Sequence, residues 1–536
     1  MKAIKSIRAF VMIAMFWLGS SNVWSQQAKN VVLADFISTE QLYNRSTPFP
    51  YNDLFAVPSV AGIWGWAYNG NEYALVCLGS KQEPGSGLAM VKVTDPNTVQ
   101  IIKTIQRNQG TPSENGPFEV KVFFKSATAQ YAYVCQDNNK TYYVDLIDGL
   151  NNPGDPGRGV EDFASGSRAH NLQVCAGNQT LLLSDLVNNN PILVYDISNG
   201  APSINPIKSI SLPGLNNRSH DIYVSTDRIY SASNDTGISI YQYDYTGPGD
   251  SFDILATYNH FYNARRDYAP NDFMGPRLTP ISHNVWPSSN GNYLFATDER
   301  NGDDIAEGSL TRQLGSYLRT WNISTINTTP DGNGYRYPIS KVYQAREVTE
   351  PAGSFNSTNF TALPSGEFGN SIHNAHIRNE SGSDVAYLSY YTKGLRILDV
   401  ANPPNPTELG WYDVPNIANY YFPVYAGSWG VYPYFSSNTI VVSDAGGLYV
   451  FRRATEVSGT ISSTTTWSGA IFVTNSITVS NNATLTIQPG TTVAFADGKS
   501  LTVNAGAKII ADGTSTQTIK FTSNSHPPAR ANKKFS

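Results

Sequence analysis

Four of the seven histidines in this chain occupy one recurring setting: Ala169-His170-Asn171-Leu172, Ser219-His220-Asp221-Ile222, Ser282-His283-Asn284-Val285 and Ile372-His373-Asn374-Ala375. Each precedes a short β-rich run, so the four imidazoles are expected at equivalent places in successive repeats. Repeats wound round an axis would bring them together. Neutral imidazoles joined by a carboxylate from Glu119 or Asp221 suit zinc or another divalent transition metal, and His376, two residues past Asn374, is a further candidate ligand. Water activation would require an open coordination position as well. A packing role competes with this chemistry: each histidine would bond within and between strands, with Asp145, Asp196 and Asp399 on later strands as partners. No catalytic residue is assigned.

A second group is aromatic. Trp64, Trp66, Trp286 and Trp429 lie near the same strands and suit either a stacking platform for sugar rings or protein side chains, or a place in the core. Asp298, Glu299, Asp303, Asp304 and Glu307 form an acidic stretch. It offers oxygen ligands for calcium without the spacing of an EF-hand, and is read as a solvated loop. The chain shows no Gly-Xaa-Ser-Xaa-Gly elbow, His-Glu-Xaa-Xaa-His helix or phosphate-cradling glycine loop.

The elements that must position these residues repeat every 40 to 50 residues or so, a period typical of propellers and solenoids. The third strand of each unit is the clearest marker: 88–95, 141–146, 192–197, 238–243, 317–323, 395–400 and 448–451. Gly, Pro, Asn and Asp punctuate the runs, and helical periodicity is nearly absent. Short antiparallel units repeated radially make a β-propeller, here with seven blades. Aligning the first strands gives Trp64-Gly65, Phe118-Glu119, His170-Asn171, His220-Asp221, His283-Asn284, His373-Asn374 and Trp429-Gly430. One member of each pair is expected to face the channel; the sequence leaves open which. The last unit lacks a fourth strand, and residues 30–36 are expected to supply it by pairing with 448–451.

The ends differ in character. Lys2, Lys5 and Arg8 precede an apolar run over 9–18, which predicts a signal peptide over 1–25 cleaved near Ser25, with the propeller over 26–455. No segment suits a transmembrane helix. From Glu456 short apolar triplets alternate with Asn and Gly turns, which predicts a β-helix-like segment over 456–524 with room for about three turns. The basic, proline-containing stretch 525–536 continues no rung and is expected to be disordered. Removing the three basic residues of the leader takes the formal charge from −5 to −8, with no long charge run, which argues against nucleic acid. Cys77, Cys135 and Cys175 are odd in number and are read as buried thiols.

The repeats resemble the LVIVD-repeat propellers of the bacterial choice-of-anchor B type. The resemblance rests on Gly62-Ile63-Trp64-Gly65-Trp66, Phe118 to Val122, the four histidine stretches, Gly394 to Val400 and Ser428 to Pro433, and covers roughly residues 30 to 453. It implies an exported, surface-associated propeller with a variable C-terminal attachment module and no established reaction. The tail resembles the opening turns of right-handed β-helix modules. The reading is an all-β protein, a seven-bladed propeller followed by a short, truncated β-helix segment. It acts as a secreted or cell-surface binding module for a protein or glycan, with no established cofactor. A metal-dependent hydrolase with a histidine-lined channel is the alternative, and the sequence leaves the oligomeric state open.

Overall fold

The computed structural model describes residues 28–45, 60–79, 87–106, 117–136, 141–155, 159–163, 169–185, 192–210, 219–233, 238–243, 254–258, 281–299, 318–324, 326, 372–403, 406–414 and 427–524. The expected leader, the tail 525–536 and the acidic stretch beyond Glu299 lie outside these residues, as do the side chains of Asp298 and Glu299.

Seven antiparallel sheets stand round a central axis as a seven-bladed β-propeller. Their inner strands are Val60–Tyr68, Pro117–Ser126, Ala169–Cys175, Asp221–Val224, Ile281–Pro287, Ile372–Glu380 and Ser428–Tyr432, which define blades one to seven. Each inner strand abuts the next, and the seventh abuts the first, so the ring is closed.

The blades hold together because alternate residues of each strand feed different cores. In Thr180–Asp185 of blade three, Leu181 and Leu183 pack toward blade two while Leu182 packs toward blade four. In Asn71–Leu78 of blade one, Ala74, Val76 and Leu78 face blade seven, and Tyr73, Leu75 and Cys77 face blade two. Period-two alternation therefore produces strands that are apolar on both faces, and one apolar core between each pair of neighbours. All three cysteines are buried in these layers and form no disulfide among the described residues.

Blade seven takes its outermost strand from the other end of the described chain. Val31–Ser38 pairs antiparallel with Gly447–Arg453, burying Val31, Val32 and Leu33. Just before it, Ala28 and Lys29 pair with Tyr412 and Trp411 at the rim of blade six. After it, a single helical turn, Thr39–Leu42, is closed by a capping box between Ser38 and Gln41.

The chain then turns into a parallel β-solenoid. Thr455–Ile461, Ala470–Val479, Thr492–Phe495 and Lys520–Ser523 stack in one parallel sheet, while Thr465–Trp467, Thr484–Ile487 and Lys508–Ala511 stack in another. Trp467, Ile471, Val473, Ile477, Leu485, Ile487 and Val493 fill the space between them. The solenoid is fixed to the propeller by polar contacts. Lys520 Nζ donates to Ala34 O at 2.6 Å and Asp35 Oδ1 at 3.0 Å, Asn524 Oδ1 accepts from Leu33 N, and Arg452 donates to Gly469 O and Gly490 O. Among the described residues no helix is long and apolar enough to cross a membrane.

Candidate functional site

Six of the inner strands start irregularly. Phe118, His170, His283, His373 and Trp429 are each the extra residue of a β-bulge, and in blade one the irregularity spans Ala61-Gly62. In blade four His220 lies just before the ladder, with its N–H bonded to Ala232 O. A bulge re-aims one side chain out of the pleat. Here it aims them at one another.

The result is a closed ring. His170 and His220 have ring centroids 4.7 Å apart, His220 and His283 4.2 Å, His283 and His373 4.1 Å, His373 and Trp429 4.3 Å, Trp429 and Phe118 6.1 Å, and Phe118 and His170 5.1 Å. Phe118, His170, His220 and Trp429 keep partial exposure, whereas His283 and His373 are buried.

Backbone carbonyls of the ring residues clasp the blades. His373 O accepts from His283 Nδ1 at 2.8 Å and from Thr297 Oγ1 at 2.9 Å. Ser184 Oγ donates to His220 O, Ser389 Oγ to Trp429 O, and the Cys135 thiol, in the equivalent place, to His170 O. Because a carbonyl only accepts, His283 carries its proton on Nδ1.

One residue deeper lies a polar layer formed by Glu119, Asn171, Asp221, Asn284 and Asn374, all buried. Asn284 Nδ2 donates to Asp221 Oδ2 at 2.6 Å, while Asn284 Oδ1 accepts from Ala375 N in the next blade. Glycine replaces a side chain in blades one and seven. A Cβ on Gly62 would lie 2.4 Å from Phe118 O, so blades one and two could not approach so closely with any other residue.

Three residues beyond the bulge a second aromatic layer forms. Trp286 and His376 stack at 4.4 Å, Tyr223 lies 4.7 Å from Trp286, and Trp64 lies 5.2 Å from Tyr432. Tyr434 stacks on Trp286 and donates its hydroxyl to Ile377 O. Between this layer and the polar one, the buried Lys121 ammonium sits 2.8 Å from Glu119 Oε1 and 4.3 Å over Trp64.

Burial sets the protonation of the site. Desolvation, reinforced by neighbouring imidazoles, holds His220 and His373 well below the ordinary histidine value, and desolvation with the Lys121 charge does the same for His376. Desolvation pushes the Asp221 carboxyl up to about 7, against the pull of its bond to Asn284. Several polar atoms here have no hydrogen-bond partner within the protein: Asn171 Oδ1, Asn374 Oδ1, His220 Nδ1 and His376 Nδ1.

The structure thus joins His170, His220, His283 and His373 with Trp429, and sets Glu119 and Asp221 one layer below. His376, Trp64 and Trp286 belong to the deeper aromatic layer. Trp66 is elsewhere: it is buried between blades one and two, where its indole donates to Gln130 Oε1 at 2.6 Å. The expected alignment of blade one is three residues off. Ile63 pairs with Val76 across the bulge, so Ala61-Gly62 matches the other pairs, and Trp64 matches Lys121, Gln173, Tyr223, Trp286, His376 and Tyr432. The expected aspartate partners act differently as well. Asp145, Asp196 and Asp399 accept the backbone N–H groups of Ile147, Ser198 and Ala401, closing turns at the other end of the blades. Lys121, Tyr223 and Tyr434 escaped the sequence reading; the signal was their place three to five residues beyond the aromatic or histidine residue at the start of the inner strand. Among the described residues no three His, Cys, Asp or Glu side chains are arranged to hold a metal ion.

No family model matches the chain, and no curated protein matches it. Solved structures to which the chain is similar include an extracellular domain from B. thetaiotaomicron, described as that of a hybrid two-component system. It is 14% identical with a TM-score of 0.39, over 74% of this chain and 38% of that one. A second structure of an extracellular domain from the same organism, described as a one-component system, matches at 14% identity and a TM-score of 0.39, over 73% of this chain and 38% of that one. A computationally designed protein, Ika8, matches at 9% identity and a TM-score of 0.38, over 74% of this chain and 96% of that one. The chain spans well under half the length of the two bacterial structures.

Proposed function

We propose that this protein is an extracellular binding module that engages a protein or glycan at the histidine end of its propeller. One observation carries the reading: the two ends of the blades are connected very differently. At the far end, short hairpins such as Asn69-Gly70 and Ser381-Gly382 join inner to second strands, with the positive φ angles that tight turns need. At the histidine end successive strands are separated by longer stretches of sequence, from Tyr258 to Ile281, Glu299 to Leu318 and Tyr412 to Ser428. Long connections on a rigid scaffold are where recognition residues concentrate. The far end of the channel is filled by stacked aromatics.

The repeats support placing the propeller with the LVIVD-repeat, choice-of-anchor B type. In this reading residues 1–25 are a leader cleaved near Ser25, 26–455 the propeller and 456–524 a β-helical spacer or attachment part. Glycan and cell-envelope protein arrays probed with the propeller test the proposal. Binding that disappears in His170→Asp supports it, and arrays without specific signal count against it.

The alternative, a metal-dependent hydrolase, draws on one observation: His220 and His373 are held neutral, as ligation requires. Elemental analysis of the purified protein decides it. Stoichiometric zinc, lost together with a hydrolytic activity in His220→Ala, would replace the binding-only reading.

A further inference from the structure

In the earlier coils of the solenoid the inward side chains Ile477, Val479, Leu485, Ile487 and Val493 are almost wholly buried. Their stacked counterparts in the last described coil are Leu501, Val503, Ile509, Ala511 and Phe521. Of these, Val503 is 38%, Ile509 39% and Phe521 47% exposed, and Ile510 on the outer face is 43% exposed. The three strands of this coil, Leu501–Val503, Lys508–Ala511 and Lys520–Ser523, each pair on one side only among the described residues. An apolar strand edge of this kind is a template for another strand. In the middle strand the open edge can be read residue by residue. Lys508 N donates to Ala483 O at 2.9 Å in the coil before, so alternation turns the N–H and C=O groups of Ile509 and Ala511 to the open side.

The segment Lys508-Ile509-Ile510-Ala511-Asp512, with Lys508 and Asp512 both exposed, is complementary to itself. Set antiparallel to its own copy about a two-fold axis at Ile510, it brings Lys508 opposite Asp512, Ile509 opposite Ala511 and Ile510 opposite Ile510. Ile509 and Ala511, whose backbone groups face outward, then form the hydrogen-bonded pairs. Lys508, Ile510 and Asp512 fall at the non-hydrogen-bonded pairs, where opposed side chains lie closer. Each ammonium there meets a carboxylate, and isoleucine meets isoleucine. On the inner face Ile509 meets Ala511, which joins the two open cores.

We propose that the last solenoid coil is a pairing surface for a second copy of this chain, joined edge to edge and antiparallel through residues 508–512. One patch serves on both copies, as a two-fold interface requires. The pair carries two propellers, and its formation is independent of what they bind.

Sedimentation equilibrium on the full chain tests the pairing. The wild type is expected to reach twice the mass of the chain and to dissociate on dilution. Lys508→Asp and Asp512→Lys each set like charges opposite one another at both symmetric positions, and each should weaken the pair about tenfold. Combining them restores both ion pairs and should restore the wild-type dissociation constant. Thermal unfolding shows whether each variant is folded. Should a single reversal fail to fold, Ile510→Lys, which sets two ammonium groups face to face, takes its place with the same expected loss. A wild type that stays monomeric at every concentration would overturn the proposal, and protection of the Ile509 and Ala511 amides from hydrogen exchange in that monomer would assign the edge to another segment of the same chain. Pairing that no folded variant weakens, or that the double reversal fails to restore, would overturn it as well.

Discussion

The two ends of the propeller's channel are built from the same strands and yet do opposite things. At the histidine end, bulges turn rings toward the axis and buried polar atoms lack partners. Three residues further along, regular pleating returns, the aromatics stack on one another, and short turns close the hairpins. One side chain per strand, displaced by one extra residue, separates a site from a plug. The general lesson is that a repeat protein can specialise one face while leaving the packing rule of its blades unchanged.

Removal of residues 28–38 gives the largest expected effect on this contrast. Without that strand blade seven loses its outermost ladder and the solenoid loses its contacts with Ala34 and Asp35. Cooperative unfolding in urea should then be replaced by a broad transition or by aggregation. A sharp transition at the wild-type midpoint would show that ring closure does not depend on this strand.

Trp66→Ala comes next, at the plugged side. Truncating a fully buried tryptophan costs about 3–5 kcal/mol. It should lower the denaturation midpoint without altering ligand affinity of the folded fraction. A large loss of affinity at full stability would erase the distinction between core and site.

Acidification sharpens the comparison. His220, His373 and His376 have folded values below the unfolded one of about 6.5, so their contribution is complete above that pH and is lost as pH falls below it. Asp221 has the opposite sign. Raised to about 7 in the folded protein, it favours folding while protonated, and that contribution is lost as pH rises from about 4 through 7. Urea midpoints between pH 5 and 8 should therefore fall on the acid side, and His373→Phe should flatten that fall. Asp221→Asn should gain on the wild type at pH 8 relative to pH 5. A midpoint independent of pH in all three proteins would contradict the buried, neutral imidazoles.

The smallest effect belongs to a single clasp. Ser389→Ala removes one donor to Trp429 O and should cost about 1 kcal/mol, with a modest loosening of Trp429. Hydrogen exchange at 428–432 reads it, and protection unchanged from the wild type would mean that His373 and packing alone hold the ring.

The blade pattern was legible because third strands such as Ile192-Leu193-Val194-Tyr195 must be apolar on both faces, whichever blades flank them. The histidine clustering was legible for a related reason: a repeat that closes on itself carries equivalent positions to a common axis. Blade one was misaligned because its bulge holds Ala61-Gly62, which has no aromatic or imidazole to mark it, while Trp64-Gly65 three residues on imitates Trp429-Gly430. Counting residues cannot reveal a bulge, since only the ladder from Ile63 to Val76 shows where the extra residue lies. The same limit hid Lys121 and Tyr434, whose neighbours come from other blades. Asp145, Asp196 and Asp399 were assigned to the histidines by their repetition, but repetition also marks turns, and each spends its carboxylate closing one.

The central claim, that recognition occurs at the histidine end, meets its most direct test in a paired comparison on one glycan and protein array. His170→Asp places a charge in the axial ring, and Phe124→Asp places the same charge at the far end of blade two, where Phe124 is 53% exposed. The account predicts that every specific signal of the wild type is lost in His170→Asp and kept in Phe124→Asp. Signals kept in the first and lost in the second would put recognition at the other end.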